Sequence, residues 1–185
     1  MEQPAETLTR GQVTLRRFRP EDADALERAI DESLDQLLPW MPWAAKHSRE
    51  SVLEYLDRSR AEWESGASYN YAITADGVLV GSCALMRRIG PGGREIGYWL
   101  HSDWTGRGLM TAAAAELTCE AFRLPGTTHV EIHHDEANRA SAGVPRRLGF
   151  TLVSRTVDTE PPDSPGDSGV TVVQRIDREA AAVLG

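Results

Sequence analysis

Apolar and polar positions along this chain follow two periods, and the points where one gives way to the other mark its elements. Val13 to Phe18 alternates apolar and polar side chains, the pattern of a half-buried strand. Pro20, with Glu21, Asp22 and Asp24 behind it, carries the signature of a helix start, since acidic groups favour the positive end of the helix dipole. Leu26 and Ile30, then Leu34, Leu37 and Leu38, extend an apolar face through a break near Ser33 until Pro39 and Pro42 end it. A second helix is predicted from Arg49 to Ser65, with Val52, Leu53, Leu56 and Trp63 facing inward. Tyr69 to Thr74 and Val78 to Met86 read as a hairpin turned by Asp76-Gly77. Glu95 to His101 is another strand, and a glycine-rich turn then runs into a helix with the stripe Met110, Ala113, Leu117, Ala121 and Leu124. Thr128 to His134 is a strand, Asn138 to Leu148 a short helix closed by Gly149, and Phe150 to Val157 with Gly169 to Ile176 a last pair of strands. Two segments promise little order: a flexible stretch over 1–10 and a mobile, Pro- and Gly-rich loop over 158–169. The sum is a mixed α/β protein, an antiparallel sheet first and a β-α-β-α-β half after it.

Composition narrows the field. With 185 residues, 41% of them hydrophobic, the chain suits one domain spanning 1–185. No apolar run approaches the roughly 20 residues of a membrane span, and Met1 to Arg10 lacks the apolar core of a signal peptide. A net charge of -8 argues against sequence-independent nucleic-acid binding, which needs Lys and Arg to displace counterions, and tolerates a cationic or amine partner. Cys83 and Cys119 are far apart and neither sits in a CxxC, which disfavours a disulfide scaffold or a cysteine-rich zinc site. A cytoplasmic protein is expected, acting on neither membrane nor nucleic acid.

The chemistry gathers at Trp104-Thr105-Gly106-Arg107-Gly108-Leu109-Met110-Thr111. This turn follows a strand and opens a helix, whose first four amides have no internal partner. Gly106 and Gly108 let the backbone approach a ligand closely, and Arg107 adds a cation. Such a turn can cradle a pyrophosphate, or it can be a tight strand-to-helix connection and nothing more. It is neither a Walker loop, lacking the Gly-Lys-Ser/Thr ending, nor a GxGxxG, lacking a third glycine at Thr111.

In order along the chain, EIGYWLHSDWTGRGLMTAA, HVEIHHD and NRASAGVPRRLGF resemble the GCN5-related N-acetyltransferase (GNAT) superfamily, and its RimJ/RimL-type ribosomal-protein N-terminal acetyltransferase branch in particular. Phe18-Arg19-Pro20 leading to Asp24-Ala25, and the tryptophan-rich LLPWMPWA, are similar to that branch as well, so the likeness runs from Val13 to Arg175. It implies the GNAT fold: a mixed, mostly antiparallel central sheet splayed between its fourth and fifth strands and flanked by helices. It also implies an enzyme that moves an acetyl group directly from acetyl-CoA to a primary amine, on a protein N-terminus or a small molecule, with a homodimer possible. The family's cofactor loop, R/Q-x-x-G-x-G/A, falls on Thr105 to Met110; Thr105 departs from Arg/Gln and Met110 from Gly/Ala. By the same resemblance, the amides of Gly106, Arg107, Gly108, Leu109, Met110 and Thr111 hold the pyrophosphate. Trp99, Leu100 and His101 pair with the pantetheine arm as with an added strand, while Asn138 and Ser141 approach the sulfur.

Transfer to an amine needs a proton removed from the nucleophile and one given to the departing thiolate. Glu95 is the first candidate base, acting through water, and a surface carboxylate at a strand start is the competing reading. His133 is the second, against a packed strand residue. Ser141 is the candidate donor to the thiolate, against a serine that satisfies its own helix terminus; the tyrosine some relatives use one turn later is here Pro145. The amide of Trp99 or Leu100 could polarise the thioester oxygen. Trp40 and Trp43 either roof the acceptor groove or pack under the first helices. Arg146 and Arg147 read as decoration of a helix face. No metal is expected, because alternate residues of Glu131-Ile132-His133-His134 face opposite sides of a strand. Against the enzyme stand a non-catalytic acyl-CoA-binding module and a transferase using a bulkier acyl-CoA.

Overall fold

In a computed structural model describing residues 2–185, one eight-stranded sheet carries the whole chain, in the order β1-β2-β3-β4-β5-β6-β8-β7. The alternating Val13–Arg17 segment is β2, and it pairs antiparallel with β1 (Thr7–Arg10) across Gly11, which takes a left-handed φ of 58°. That pairing corrects the expectation of a flexible 1–10: Leu8 is buried in the core and Thr7–Arg10 is a strand, while Met1 lies outside the described residues. Four residues are too few for alternation to stand out until a partner strand covers them.

The hairpin forms as the Asp76-Gly77 turn demands, both residues at positive φ, joining β3 (Ser68–Ala75) to β4 (Val78–Met86). β5 (Gly93–Leu100) pairs antiparallel with β4. Between β2 and β3 in sequence come α1 (Ala23–Asp31), α2 (Leu34–Leu37) and α3 (Arg49–Ser65), the last capped by Ser48, whose side chain accepts from the Ser51 amide. On α3, Val52, Leu56 and Trp63 are buried but Leu53 is 46% exposed, contrary to its predicted inward face; it lies one residue off their stripe, so about 100° of helical rotation turns it to solvent.

The second half is built around α4 (Leu109–Arg123), β6 (His129–Asp135), α5 (Arg139–Arg147), β7 (Thr151–Val157) and β8 (Val170–Asp177). A short α6 (Arg178–Ala181) and a final helical turn, unannounced by the sequence pattern, bury Ala181 against the core. One face of the sheet places Tyr69, Tyr71, Leu85 and Ile96 in a core shared with α4 and with Trp63 of α3; the other places Ala72 and Leu79 in a core with α1 and with Val52 and Leu56 of α3.

Among the described residues, the only parallel pairing, between β5 and β6, covers Gly93–Glu95 and His129–Glu131. Beyond Glu95 the two strands part. This is the expected splay, and the additional β1 makes it fall between the fifth and sixth strands. Residues 158–169 form no helix or strand, yet the segment is tied down: the Gly166 amide donates to Pro39 O (2.9 Å) and Asp135 accepts from the Ser168 amide (2.9 Å).

Candidate active site

Two left-handed glycines shape the turn into α4, Gly106 at φ 74° and Gly108 at φ 77°, and a Cβ on either would meet open space. Among the described residues, the amides of Gly106 to Thr111 find no acceptor in the chain; the first helical bond in this region runs from the Ala112 amide to Gly108 O (3.0 Å). Six consecutive donors at the positive end of a 15-residue helix fit a diphosphate. The side chains contribute less than expected. The Thr105 hydroxyl and amide both donate to Ser102 O (2.9 and 3.3 Å), closing a helical turn. Arg107 folds back over Trp104, 4.7 Å from the ring centroid, and donates to Asp103 O. Leu109 and Met110 pack against the core. The cation at this turn is instead Arg147 of α5, whose Nε donates to Thr111 Oγ1 (3.1 Å). This corrects the expectation that Arg147 decorates a helix face: the partner lies 36 residues away in sequence, where no local pattern points to it.

Along β5, the His101 amide donates to Val80 O (2.7 Å), so the alternation of an antiparallel pair turns the Trp99 amide toward β4 as well. The amides of Tyr98 and Leu100 therefore face the opposite edge, which no strand covers past Glu95. His101 is thus removed from the predicted open edge, and Leu100, not Trp99, offers the outward amide. The His101 ring is structural too: Nδ1 accepts from the Asp103 amide, and Nε2 meets Glu32 Oε2 at 2.9 Å.

On the α1/α3 side of the sheet, where the strands part, a cleft of about 1150 Å³ opens. Glu95, His133, Asn138 and Ser141 all line it. Glu95 is no surface carboxylate. It is 4% exposed, and Arg88 grips both its oxygens, Nε to Oε2 at 2.8 Å and Nη2 to Oε1 at 2.5 Å. His133 Nε2 lies 2.7 Å from Glu131 Oε2; an ionised carboxylate only accepts, so that nitrogen is the donor, and in the neutral ring Nδ1 is the acceptor. Burial pushes the Glu131 carboxyl up, but the hydrogen bonds from His133 and Arg175 outweigh it and hold the group below the ordinary value of 4.5. His134 faces the other way and accepts from Gln174.

Asn138 caps α5, its Oδ1 accepting from the Ser141 amide (3.0 Å). Pro145 sits inside that helix without an N–H, which deprives Ser141 O of its usual donor four residues on. Tyr98 supplies the replacement: its hydroxyl donates to Ser141 O (3.1 Å) and lies 3.3 Å from Ser141 Oγ. Burial pushes the Tyr98 phenol up to about 12, partly offset by the Ser141 hydrogen bond, so it stays a donor. Neither Tyr98 nor Arg88 stood out in the sequence, since their meaning lies in what they touch.

Trp40 and Trp43 border the same cleft; Trp43 is 41% exposed and its ring lies 6.1 Å from that of Trp99. The 158–169 segment, held to Pro39 through the Gly166 amide, also borders the cleft, with Asp163 and Asp167 on the lining.

Known proteins share this fold. Residues 12–151 match the family model described as Acetyltransferase (GNAT) domain. The Putative ribosomal N-acetyltransferase YdaF of Bacillus subtilis (strain 168) is 31% identical over 147 residues, covering 75% of this chain and 77% of that protein. Mycobacterium smegmatis RimJ in complex with CoA-disulfide superposes with a TM-score of 0.85 at 26% identity, over 97% of this chain and 94% of that one. The ribosomal L7/L12 alpha-N-protein acetyltransferase RimL in complex with coenzyme A shares the fold, with a TM-score of 0.85 at 22% identity over 95% and 99% of the two chains.

Proposed function

Because this chain belongs to the GNAT acetyltransferase family and is an acetyl-CoA-dependent enzyme, we propose that its acceptor is the α-amino group at a protein N-terminus. The cleft supports this reading: it is wide, and it runs from the tryptophans to the point where β5 and β6 separate. A peptide end fits such a space, and the alpha-N-protein acceptor named for RimL agrees.

Acetyl-CoA supplies the acetyl group as an activated thioester. In our reading the amides of Gly106 to Thr111, with Arg147 beside them, bind the diphosphate. The edge at Tyr98 and Leu100, where the Leu100 carbonyl already accepts from Gln36 Nε2 (3.0 Å), would hold the pantetheine arm, and the Leu100 amide would supply a donor for the thioester oxygen. His133, its ring oriented by Glu131, takes the amine proton at Nδ1. Glu95, held by Arg88, orders the approach of the amine through its charge. The Ser141 hydroxyl, beside Tyr98, would donate a hydrogen bond to the leaving sulfur, and the proton lost by the amine to His133 would return to the thiolate through solvent. Trp40, Trp43 and Trp99 hold the first side chains of the acceptor.

Incubation with acetyl-CoA and a mixed panel, free-N-terminal peptides, N-blocked lysine peptides and aminoglycosides, tests the acceptor. Mass spectrometry is expected to place the acetyl group on α-amines. Label confined to aminoglycosides or lysine side chains would refute the N-terminal assignment.

A further inference from the structure

At the end of β5 remote from the glycine turn, a second cavity of about 680 Å³ lies between the 90–93 turn and the Pro125–Thr127 connection. Four buried side-chain polar atoms lack a hydrogen-bond partner among the described residues, and two of them, Arg94 Nη1 and Thr127 Oγ1, belong to residues lining this one cavity. Thr127 is 3% exposed. Among the described residues Arg94 makes no ion pair; its guanidinium lies 5.9 Å from the Tyr69 ring centroid, and burial together with nearby Arg87 pushes its pKa down. Arg87 and Arg88 also line the cavity, Arg88 already committed to Glu95. The one carboxylate on the lining, Glu2, is exposed and pairs with none of these arginines.

We propose that this cavity binds a small oxyanion, a phosphate or a carboxylate, held by the Arg94 and Arg87 guanidiniums and the Thr127 hydroxyl. A half-buried guanidinium with no acceptor is costly, and a water in its place would satisfy the hydroxyl while leaving the charge uncompensated. An oxyanion accepts from both groups at once, and guanidinium recognises phosphate and carboxylate in the same forked geometry. The assignment is independent of acetyl transfer, although Arg87 and Arg88 also line the acceptor cleft and so place the two sites side by side.

The test is calorimetric titration of inorganic phosphate and, separately, acetate at constant ionic strength, with chloride as the control anion. It is run with coenzyme A saturating and repeated in Gly108→Asp, so that the glycine turn does not compete. Phosphate, acetate or both are expected to bind more tightly than chloride, and the preferred ion identifies the ligand chemistry. Arg94→Gln is expected to weaken binding about tenfold or more, Thr127→Val several-fold, both measured as Kd. Thr127→Val is nearly isosteric and decides the matter if Arg94→Gln does not fold. Neither anion exceeding chloride, or affinities unchanged in Thr127→Val and in folded Arg94→Gln, would overturn the site.

Discussion

At the scale of single residues, the site is made of pairs. Glu95 and His133 both border the acceptor cleft, but their partners differ in kind: a guanidinium that occupies both oxygens of the one, a carboxylate that orients the other. A base whose lone pairs are engaged by a cation is the poorer proton acceptor, and on that ground we propose the imidazole for the role. His133→Gln is expected to lower kcat about 100-fold with little change in the KM for acetyl-CoA, whereas Glu95→Gln lowers it less. Steady-state kinetics on both variants decide between them, and a larger loss in Glu95→Gln would return the base to the carboxylate. Asp22 is a pair of another sort, buried where the chain enters α1. Arg16 donates to both its oxygens at 2.7 and 2.6 Å, and the Arg19 amide donates at 2.8 Å. Burial pushes its carboxyl up, yet these hydrogen bonds hold it below the ordinary 3.8.

Among the elements, α5 shows most clearly how a local defect becomes a structural contact. Pro145 leaves Ser141 O without its helical donor, and Tyr98 fills the place from β5, fastening helix to strand beside the cleft. Tyr98→Phe is expected to cost about 1 kcal/mol in urea unfolding, and less in a Pro145→Ala background, where the new amide can bond Ser141 O. Equal costs in the two backgrounds would break the link. The α4 turn makes the opposite demand, since its glycines leave donors bare. Gly108→Asp adds a carboxylate beside those amides at a left-handed position, where a side chain itself costs about 1–2 kcal/mol. Coenzyme A at 100 times its wild-type Kd should stabilise the native protein by about 2.7 kcal/mol and the variant hardly at all, as read by thermal unfolding. An equal stabilisation of both would remove the turn from cofactor binding.

For the whole molecule, acid sensitivity follows from the carboxylates that folding depresses. Asp22 and Glu131 ionise more readily in the folded chain, so their contribution is fully present above their ordinary values of 3.8 and 4.5 and is lost as pH falls through the lower folded values. Urea unfolding followed from pH 7 to pH 3 is expected to show falling stability below about pH 4.5. Asp22→Asn, costing about 2 kcal/mol at pH 7, should flatten that limb. A limb of unchanged slope would exclude Asp22 as a source. Most elements were readable beforehand because their signals are local: the Asp76-Gly77 turn, the Asn138 and Gly149 bounds of α5, and the stripe of α4 each need only neighbours in sequence. β1 escaped because Thr7–Arg10 becomes a strand only against β2, and Leu53 because one helical position separates inside from outside. Arg88 on Glu95, Tyr98 on Ser141 and Arg147 beside Thr111 join positions 7, 43 and 36 residues apart, so nothing in a local pattern distinguishes these side chains from solvated ones. The sequence by itself thus determined the kinds of element, the anion-seeking turn and the family. Which carboxylate is clamped, which imidazole is oriented and which backbone edge stands open was decided only when β5 and β6 met over three residues and then separated.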